Sequence, residues 1–184
     1  MGAKWQRFDV VIPKTIKSTK DKLALGEHIV EYIRQRTEKG KDNEGGRFPK
    51  YSKAYAGSLD FKIAGKSKNK PDLKLTGDML ADLEVLSIKG DKLLIGYKNG
   101  TISNAKADGH QTGWQGERPY AARPFLGFEG SEKAKLKSII KEHVQAVKDD
   151  DTSLRAYAYL SAKDVKRNLR PKLKPDESIM DDEE

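Results

Sequence analysis

Three histidines, His28, His110 and His143, are the side chains of this 184-residue sequence best suited to bind a transition metal or to transfer a proton near neutral pH. A zinc site needs several ligands at short fixed spacing, such as a His-x-x-x-His pair or closely spaced cysteines. The three histidines stand in separate segments, and the sequence contains no cysteine. We therefore predict no metal site, no disulfide and no cofactor. His28 and His143 are expected on helix surfaces, and His110 is expected in a loop.

Nucleophilic and acid–base chemistry has little support in the sequence. No Gly-x-Ser-x-Gly motif occurs, and nothing places a base beside Ser58, the nearest candidate nucleophile. The run 149–151 consists of aspartates that face different ways, as in a solvated helix cap. The run 65–67 (Gly-Lys-Ser) lacks the preceding spacing of a phosphate-binding loop. We predict no catalytic residues and no enzyme activity, unless a pocket groups His110 with carboxylates.

The charge of the chain is strongly basic and unevenly distributed. The net charge is +8, and the last ten residues contain six acidic and no basic side chains. The preceding 174 residues therefore carry 36 basic against 22 acidic side chains, a net +14. A body this basic is expected to neighbour a polyanion or an acidic protein surface.

Nucleic-acid binding is the main physical alternative that follows from this charge. Lysines supply phosphate contacts, and the aromatic residues Phe48, Tyr51, Tyr55 and Trp114 are available for base stacking. The candidate DNA-facing residues are Lys66, Lys68, Lys70, Lys133 and Lys137. The competing interpretation is that these lysines keep a chain with a small core in solution.

The elements that must position these residues begin with a strand and a helix. Residues 5–12 alternate and then become apolar, which predicts a strand that ends at Pro13. Apolar residues then recur at helical spacing, so we predict a helix over 19–38 with Ser18 as its N-cap. Gly26 weakens this helix, and Arg36 is placed on its polar face with other charged residues.

A long glycine- and lysine-rich segment, residues 39–72, separates this helix from the next regular elements. Residues 52–56 are compatible with one helical turn, and long loops of this kind are usually functional or ordered by a partner. Residues 73–75 alternate like a short strand, and Thr76 is a candidate cap for a short helix. Two alternating runs within 86–97, joined at Gly90, give the strongest hairpin signal.

The last third of the chain combines a predicted loop with predicted helices. Residues 98–122 are polar and glycine-bearing, which predicts a loop. A helix over 132–148 capped by Ser131, a further helix ending near 169 and an acidic tail follow. No apolar run approaches the roughly 18 residues that a membrane span needs, so we expect synthesis in the cytoplasm and no membrane partner.

Five segments stand in a fixed order along the chain. They are an aromatic stretch with Ser-x-x-Tyr (46–55), a Leu-Thr-Gly-Asp helix start (72–80), the end of the hairpin (94–97), His-Gln-Thr-Gly (110–113) and Ala-Arg-Pro-Phe-Leu-Gly-Phe (122–128). In this order they resemble the virion morphogenesis family of tailed bacteriophages, the tail completion and head-to-tail joining proteins of Mu-like and P2-like phages. The resemblance covers about residues 20–147. Four of the segments, all but the hairpin end, match sequence motifs of that family, and four motifs in the right order are hard to obtain by chance.

The resemblance implies a structural protein of the virion neck, and leaves open tail completion protein, tail terminator or connector. Its expected partners are copies of itself in a ring, other neck proteins (tail terminator, head-closure or portal-side connector, tail tube) and, non-specifically, packaged DNA. The implied interface residues are His110, Gln111, Gly113, Trp114, Arg123, Pro124, Phe125 and Leu126. Arg123 is expected to bind a carboxylate, and Phe125 with Leu126 to form an apolar anchor. The alternative interpretation of this stretch is an ordinary core-anchoring segment before a helix.

The elements together predict an α+β fold in which two long helices pack on a small, mainly antiparallel sheet, followed by a C-terminal helical extension. The predicted organisation is an N-terminal arm at 1–17, an α+β domain at 18–148, and an extension with an acidic tail at 149–184.

Overall fold

A three-stranded antiparallel sheet lies at the centre of the fold. The structure, a computed structural model, describes residues 4–67, 71–73, 77–113 and 120–148. The strands are β1 (Arg7–Val11), β2 (Glu84–Lys89) and β3 (Lys92–Gly96), in the order β1-β3-β2. The tight turn between β2 and β3 contains Gly90, whose φ of 60° suits glycine. The α+β class, the first strand and the hairpin are therefore confirmed.

The two faces of the sheet have different surroundings. Phe8 and Val10 of β1 and Leu93 and Ile95 of β3 belong to the core or pack against it. Their neighbours in sequence point to the opposite face, because side chains alternate along a strand. An irregularity between Val85 and Ser87 inserts one extra residue into β2 and restores the alternation beyond it.

Helix α1 (Thr19–Glu38) covers the inner face of the sheet. The Ser18 hydroxyl oxygen accepts hydrogen bonds from the backbone N–H groups of Lys20 and Asp21, at 3.2 and 3.4 Å, which fixes the start of the helix. Leu25, Ile29 and Ile33 are fully buried in the core. The predicted helix over 19–38 and its cap are confirmed.

Gly26 lets α1 approach the sheet closely. A Cβ atom at this position would lie 2.6 Å from the Cγ2 atom of Val85 on β2 and 3.5 Å from the Cδ1 atom of Leu93 on β3. Real Cβ contacts do not occur at 2.6 Å, so any larger residue would push the helix or Val85 away. The glycine that weakens the helix locally therefore serves its packing.

The described residues contain five further helices. They are α2 (Lys53–Gly57), α3 (Leu59–Ile63), α4 (Asp78–Ala81), α5 (Ile102–Thr112) and α6 (Glu132–Lys148). The predicted turn at 52–56 corresponds to α2, whereas α3 was not expected. Gly77, with φ of 95°, occupies the N-cap position of α4. Thr76 and most of the predicted strand 73–75 lie outside the described residues.

The predicted loop over 98–122 is wrong over about half of its length, because residues 102–112 form helix α5. The Thr101 hydroxyl oxygen accepts a hydrogen bond of 3.1 Å from the backbone N–H of Asn104, as an N-cap does. The buried positions of α5 are Ser103, Asn104 and Ala107, so its inner face is small and polar. Hydrophobic periodicity could not reveal a helix of this composition.

Helix α6 confirms the predicted helix at 132–148, and Ile139 brings it into the core. His143 is buried rather than on the helix surface, and its Nε2 atom lies 3.0 Å from the carbonyl oxygen of Asp21. Burial lowers the pKa of His143. His28 is exposed, as expected.

The described residues between 4 and 145 form one compact unit. It contains the sheet, including β1 from the segment predicted as an N-terminal arm. The predicted last helix and acidic tail lie outside the described residues. The predicted domain boundaries, between residues 17 and 18 and between residues 148 and 149, remain predictions.

Candidate assembly surface

The segment 123–128, expected to be either an assembly anchor or a core-anchoring segment, is held inside the chain by Arg36. The Arg36 guanidinium donates through Nη2 to the carbonyl oxygens of Phe125 (2.6 Å) and Gly127 (2.9 Å). Its Nη1 atom lies 3.1 Å from Oε2 of Glu132. Arg36 is buried, which corrects the expectation that it lies on the polar face of α1.

Glu132 joins the end of α1 to the start of α6. Its Oε2 atom accepts a hydrogen bond from the Tyr32 hydroxyl at 2.7 Å as well as from Arg36. Burial, followed by the hydrogen bond and charge of Glu132, raises the pKa of Tyr32 to about 12. The Tyr32 ring stacks on Phe128 with a centroid separation of 5.8 Å, and the Arg36 guanidinium lies 5.1 Å from the Phe128 centroid. Arg36 and Glu132 are thus paired and enclosed by aromatic rings.

The C-terminal turn of α5 also forms hydrogen bonds with the segment 123–128. Oε1 of Gln111 accepts hydrogen bonds from the backbone N–H groups of Phe125 (2.7 Å) and Leu126 (3.3 Å). The His110 carbonyl oxygen accepts one from the Arg123 N–H at 2.7 Å. His110 and Gln111 therefore bind their own chain, at the end of a helix rather than in a loop.

Arg123 fixes the part of the long segment 39–72 that precedes α2. Its Nε and Nη2 atoms donate to the carbonyl oxygens of Pro49 (3.1 Å) and Lys50 (3.0 Å). Its guanidinium carbon lies 5.2 Å from the centroid of the Tyr51 ring. Arg123 is buried and contacts backbone carbonyls, so the expected carboxylate partner is corrected.

Tyr51 belongs to an aromatic cluster that positions α2 and α3. Tyr51, Tyr55 and Phe61 have mutual centroid separations of 5.2–5.4 Å, with Phe61 edge-on to both tyrosines. Lys66 lies against this cluster, and its Nζ atom is 2.5 Å from Oδ1 of Asp72. Burial acts to lower the pKa of Lys66, but the hydrogen bond to Asp72 and the neighbouring Tyr51 raise it.

The Lys66 side chain is only 4% exposed and is paired with Asp72, so its expected DNA-facing role is corrected. Lys68 and Lys70 lie outside the described residues. Lys133 and Lys137 are exposed on α6, as a DNA-facing role requires. Lys141 continues their spacing of four residues, so the three lysines form one stripe on the helix.

His110 is half-buried and is uncharged near neutral pH. Burial, then the charges of Arg123 and Lys66, lower its pKa to about 4. Its Nδ1 atom is buried and has no hydrogen-bond partner within the described part of the chain. In the same part of the chain, no group of three histidine, aspartate or glutamate side chains could hold a metal ion. The charged groups that act on His110 are therefore the cations of Arg123 and Lys66, and not a cluster of carboxylates.

Burial decides what the expected interface residues can contact. Phe125 is fully buried, Leu126 is buried, and both belong to the main core cluster. In this conformation neither can reach a neighbouring subunit, so their expected interface role is corrected to one in the core. Pro124 is half-buried, and its carbonyl oxygen accepts a hydrogen bond of 2.9 Å from the Asn43 N–H. Gly113 occupies the C-cap of α5 with φ of 72°, and Trp114 lies outside the described residues.

The outer face of the sheet is the principal surface that the sequence did not indicate. The strand register aligns three rows of side chains across it: Arg7–Gly96–Glu84, Asp9–Leu94–Ser87 and Val11–Lys92–Lys89. Two adjoining depressions on this face share Arg7, Ser87, Lys89 and Leu94 as lining residues. Leu86, at the irregularity of β2, and Trp5 line one of them. We call this the outer sheet face.

Trp5 closes one end of the outer sheet face. Its Nε1 donates to the Tyr97 carbonyl oxygen at 2.6 Å, and the Arg7 guanidinium lies 3.6 Å from its ring centroid. Trp5 remains 38% exposed and Val11 62% exposed. A short apolar surface is therefore surrounded by charges. The run Leu93-Leu94-Ile95 could have indicated this surface in the sequence. Consecutive apolar residues in a strand place apolar side chains on both faces of the sheet.

Comparisons of this chain with family models, with curated proteins and with solved structures found no match. The helices in the described ranges are all too short or too polar to cross a membrane.

Proposed function

We propose that this protein is a structural component of a tailed-phage virion, acting in tail completion or head-to-tail joining as part of an oligomeric neck ring. The role is structural and not catalytic. The family resemblance supplies the biological setting of the proposal. The observation that carries it is the outer sheet face, on which the half-buried Leu86 and Leu94 and the exposed Val11 lie among charged side chains and outside the core cluster.

A sheet face of this kind suits a subunit that completes its packing in an assembly. Apolar side chains that lie outside the core favour association, whereas the charged rim gives orientation. Leu86, Leu94 and Val11 lie outside the core cluster, while Arg7, Asp9 and Lys92 stand beside them. We infer that other copies of the chain, and neighbouring neck proteins, bind through such surfaces.

The proposal is tested in virions. Neck complexes from purified particles should contain the protein, and an antibody label should mark the junction of head and tail. Lysates that lack the protein should accumulate separate heads and tails. Joined, infectious particles at normal yield in its absence would contradict the proposal.

A basic nucleic-acid-binding accessory protein is the second candidate, favoured by the lysine stripe on α6. Lys133, Lys137 and Lys141 are exposed, and no ion pair is formed by them in the described ranges. Three phosphate contacts would give a slope of about −2.7 for log affinity against log salt concentration on duplex DNA. A stable monomer with that slope would favour this candidate over the ring.

The stripe can be tested separately with a matched pair of triple variants. Replacing Lys133, Lys137 and Lys141 with glutamine should remove most of the salt-dependent DNA binding if the second candidate holds. Replacing the exposed Lys14, Lys17 and Lys20 with glutamine removes the same net charge at another site. Equal losses in both variants would indicate diffuse charge rather than a binding stripe.

A further inference from the structure

Helix α3 presents two large aliphatic side chains to solvent. Leu59 is 70% exposed and Ile63 is 76% exposed. They are four residues apart, so they lie on the same face of the helix. We call this pair the α3 knob. Exposed aliphatic pairs of this kind favour association, because their burial removes apolar surface from water.

The α3 knob is supported from behind. Phe61 lies between Leu59 and Ile63 in sequence and points the opposite way, where it is buried edge-on against Tyr51 and Tyr55. The Ser58 hydroxyl oxygen accepts a hydrogen bond of 3.3 Å from the Phe61 N–H, which fixes the start of the helix. The knob is therefore held in one orientation before any partner binds, which reduces the entropy lost on association.

The outer sheet face has the complementary character. Its floor contains Leu86 and Leu94, and Trp5 bounds it at one end. Exposed charges of both signs stand around these apolar residues, basic on Arg7, Lys89 and Lys92 and acidic on Asp9. Helix α3 carries one exposed charge of each sign beside the knob, on Asp60 and Lys62. Each charge on the helix can therefore meet an opposite charge on the rim when the apolar knob meets the apolar floor.

We propose that the α3 knob of one copy of this protein inserts into the outer sheet face of the next copy. Leu59 and Ile63 cover Leu86 and Leu94, and Asp60 and Lys62 meet rim charges of opposite sign. The two surfaces are different parts of the same chain, so the contact is heterologous. Repetition of such a contact gives a ring when the rotation closes, and not a two-fold dimer. This inference rests on the proposed ring and names the surfaces that build it.

Two complementary variants test the contact. The knob variant, Leu59→Glu with Ile63→Glu, keeps an intact sheet face, and the face variant, Leu94→Glu, keeps an intact knob. Each alone should weaken self-association at least tenfold in sedimentation or native mass measurements. An equimolar mixture should form a dimer and nothing larger, because each pair retains one intact contact. Ile102→Glu, at another exposed aliphatic residue, should assemble like the wild type.

Cysteine cross-linking gives a second readout that does not depend on charged substitutions. The chain has no cysteine, so introduced thiols are the only ones present. A mixture of Ile63→Cys and Leu94→Cys chains should form a disulfide-linked dimer at least ten times faster than a mixture of Ile102→Cys and Leu94→Cys chains. Thermal unfolding of each variant verifies that it is folded.

The outcomes separate this inference from the proposed function. If the wild type forms rings while the knob and face variants assemble equally well, the knob contact is wrong and the ring stands. If the mixture of the two variants stays monomeric, the heterologous pairing is also wrong. A wild-type chain that stays monomeric at all concentrations would overturn both.

Discussion

The guanidinium of Arg36 lies 2.6 Å from the carbonyl oxygen of Phe125, although 89 positions separate the two residues in the sequence. This contact joins the last turn of α1 to the segment that leads into α6. A second bond to the Gly127 carbonyl oxygen and the pairing with Glu132 complete the connection. The segment 123–128 therefore forms its contacts within the chain. Any surface that binds a neighbouring subunit lies elsewhere.

Replacing Arg36 with methionine should lower the free energy of unfolding by about 3 to 5 kcal/mol, because the buried carboxylate of Glu132 would lose its cationic partner. Chemical denaturation measures this loss. Arg47→Met, at an exposed arginine, should change stability by about 0.5 kcal/mol or less. Adding Glu132→Met to Arg36→Met should restore part of the lost stability, and equal or greater loss in the double variant would contradict the pairing.

Gly26→Ala should destabilise the protein by about 1 to 3 kcal/mol through overpacking, even though alanine is the better helix former. The reason is the 2.6 Å distance between the added Cβ atom and Cγ2 of Val85. Val85→Ala should relieve the clash, so the double variant should be more stable than the sum of the two single changes implies. Gly57→Ala is the control, since a Cβ atom there meets nothing within 4 Å. A stabilising Gly26→Ala would show that the helix does not approach the sheet this closely.

Stability should fall as the pH drops from about 6.5 towards 4, because the folded protein holds His110 in its neutral form. Its pKa in the folded state is about 4, below the ordinary histidine value, so the unfolded chain binds the proton first. The stabilisation is fully present above pH 6.5, and the loss by pH 4 is about 3 kcal/mol. His143, whose pKa burial also lowers, adds to the slope.

The histidine contribution can be isolated by substitution. His110→Gln should flatten the dependence of unfolding free energy on pH between 4 and 6.5. Urea denaturation at several pH values provides the measurement. A slope that survives in His110→Gln combined with His143→Gln would assign the effect to other groups.

Tyr97→Phe should leave stability unchanged or raise it by up to about 1 kcal/mol, because it removes a buried polar group without a partner. The Tyr97 hydroxyl has no hydrogen-bond partner among the residues that the structure describes, and burial raises its pKa. Tyr32→Phe is the matched comparison, because it removes a hydrogen bond to Glu132 and should cost about 1 kcal/mol. Thermal unfolding should therefore show an unchanged or higher melting temperature for Tyr97→Phe and a lower one for Tyr32→Phe.

The sequence predicted those elements whose apolar residues recur with a clear period. Helix α1, the hairpin of β2 and β3, and α6 were found because their buried residues are large and regularly spaced. Helix α5 was missed because its buried positions are Ser103, Asn104 and Ala107. Asn104 instead binds the N-terminal segment, accepting a hydrogen bond of 2.8 Å from the Gln6 N–H, and no periodicity signals such a contact.

The roles of the arginines were also beyond the sequence. Arg36 was assigned to the polar face of α1 because arginine is usually exposed, yet its partners come from residues 125–132. Such long-range partners depend on the tertiary fold and leave no local pattern. The outer sheet face likewise requires the strand register, which sets Leu94 beside Asp9 and Ser87.

The native mass of the purified chain distinguishes ring assembly from a DNA-binding monomer. Measured by native mass spectrometry at physiological salt over a range of concentrations, it should show a defined oligomer of several subunits that electron microscopy images as a ring. The assembly should persist as salt rises, because its core contacts are apolar. A chain that stays strictly monomeric and binds duplex DNA with a steep salt dependence would contradict the account.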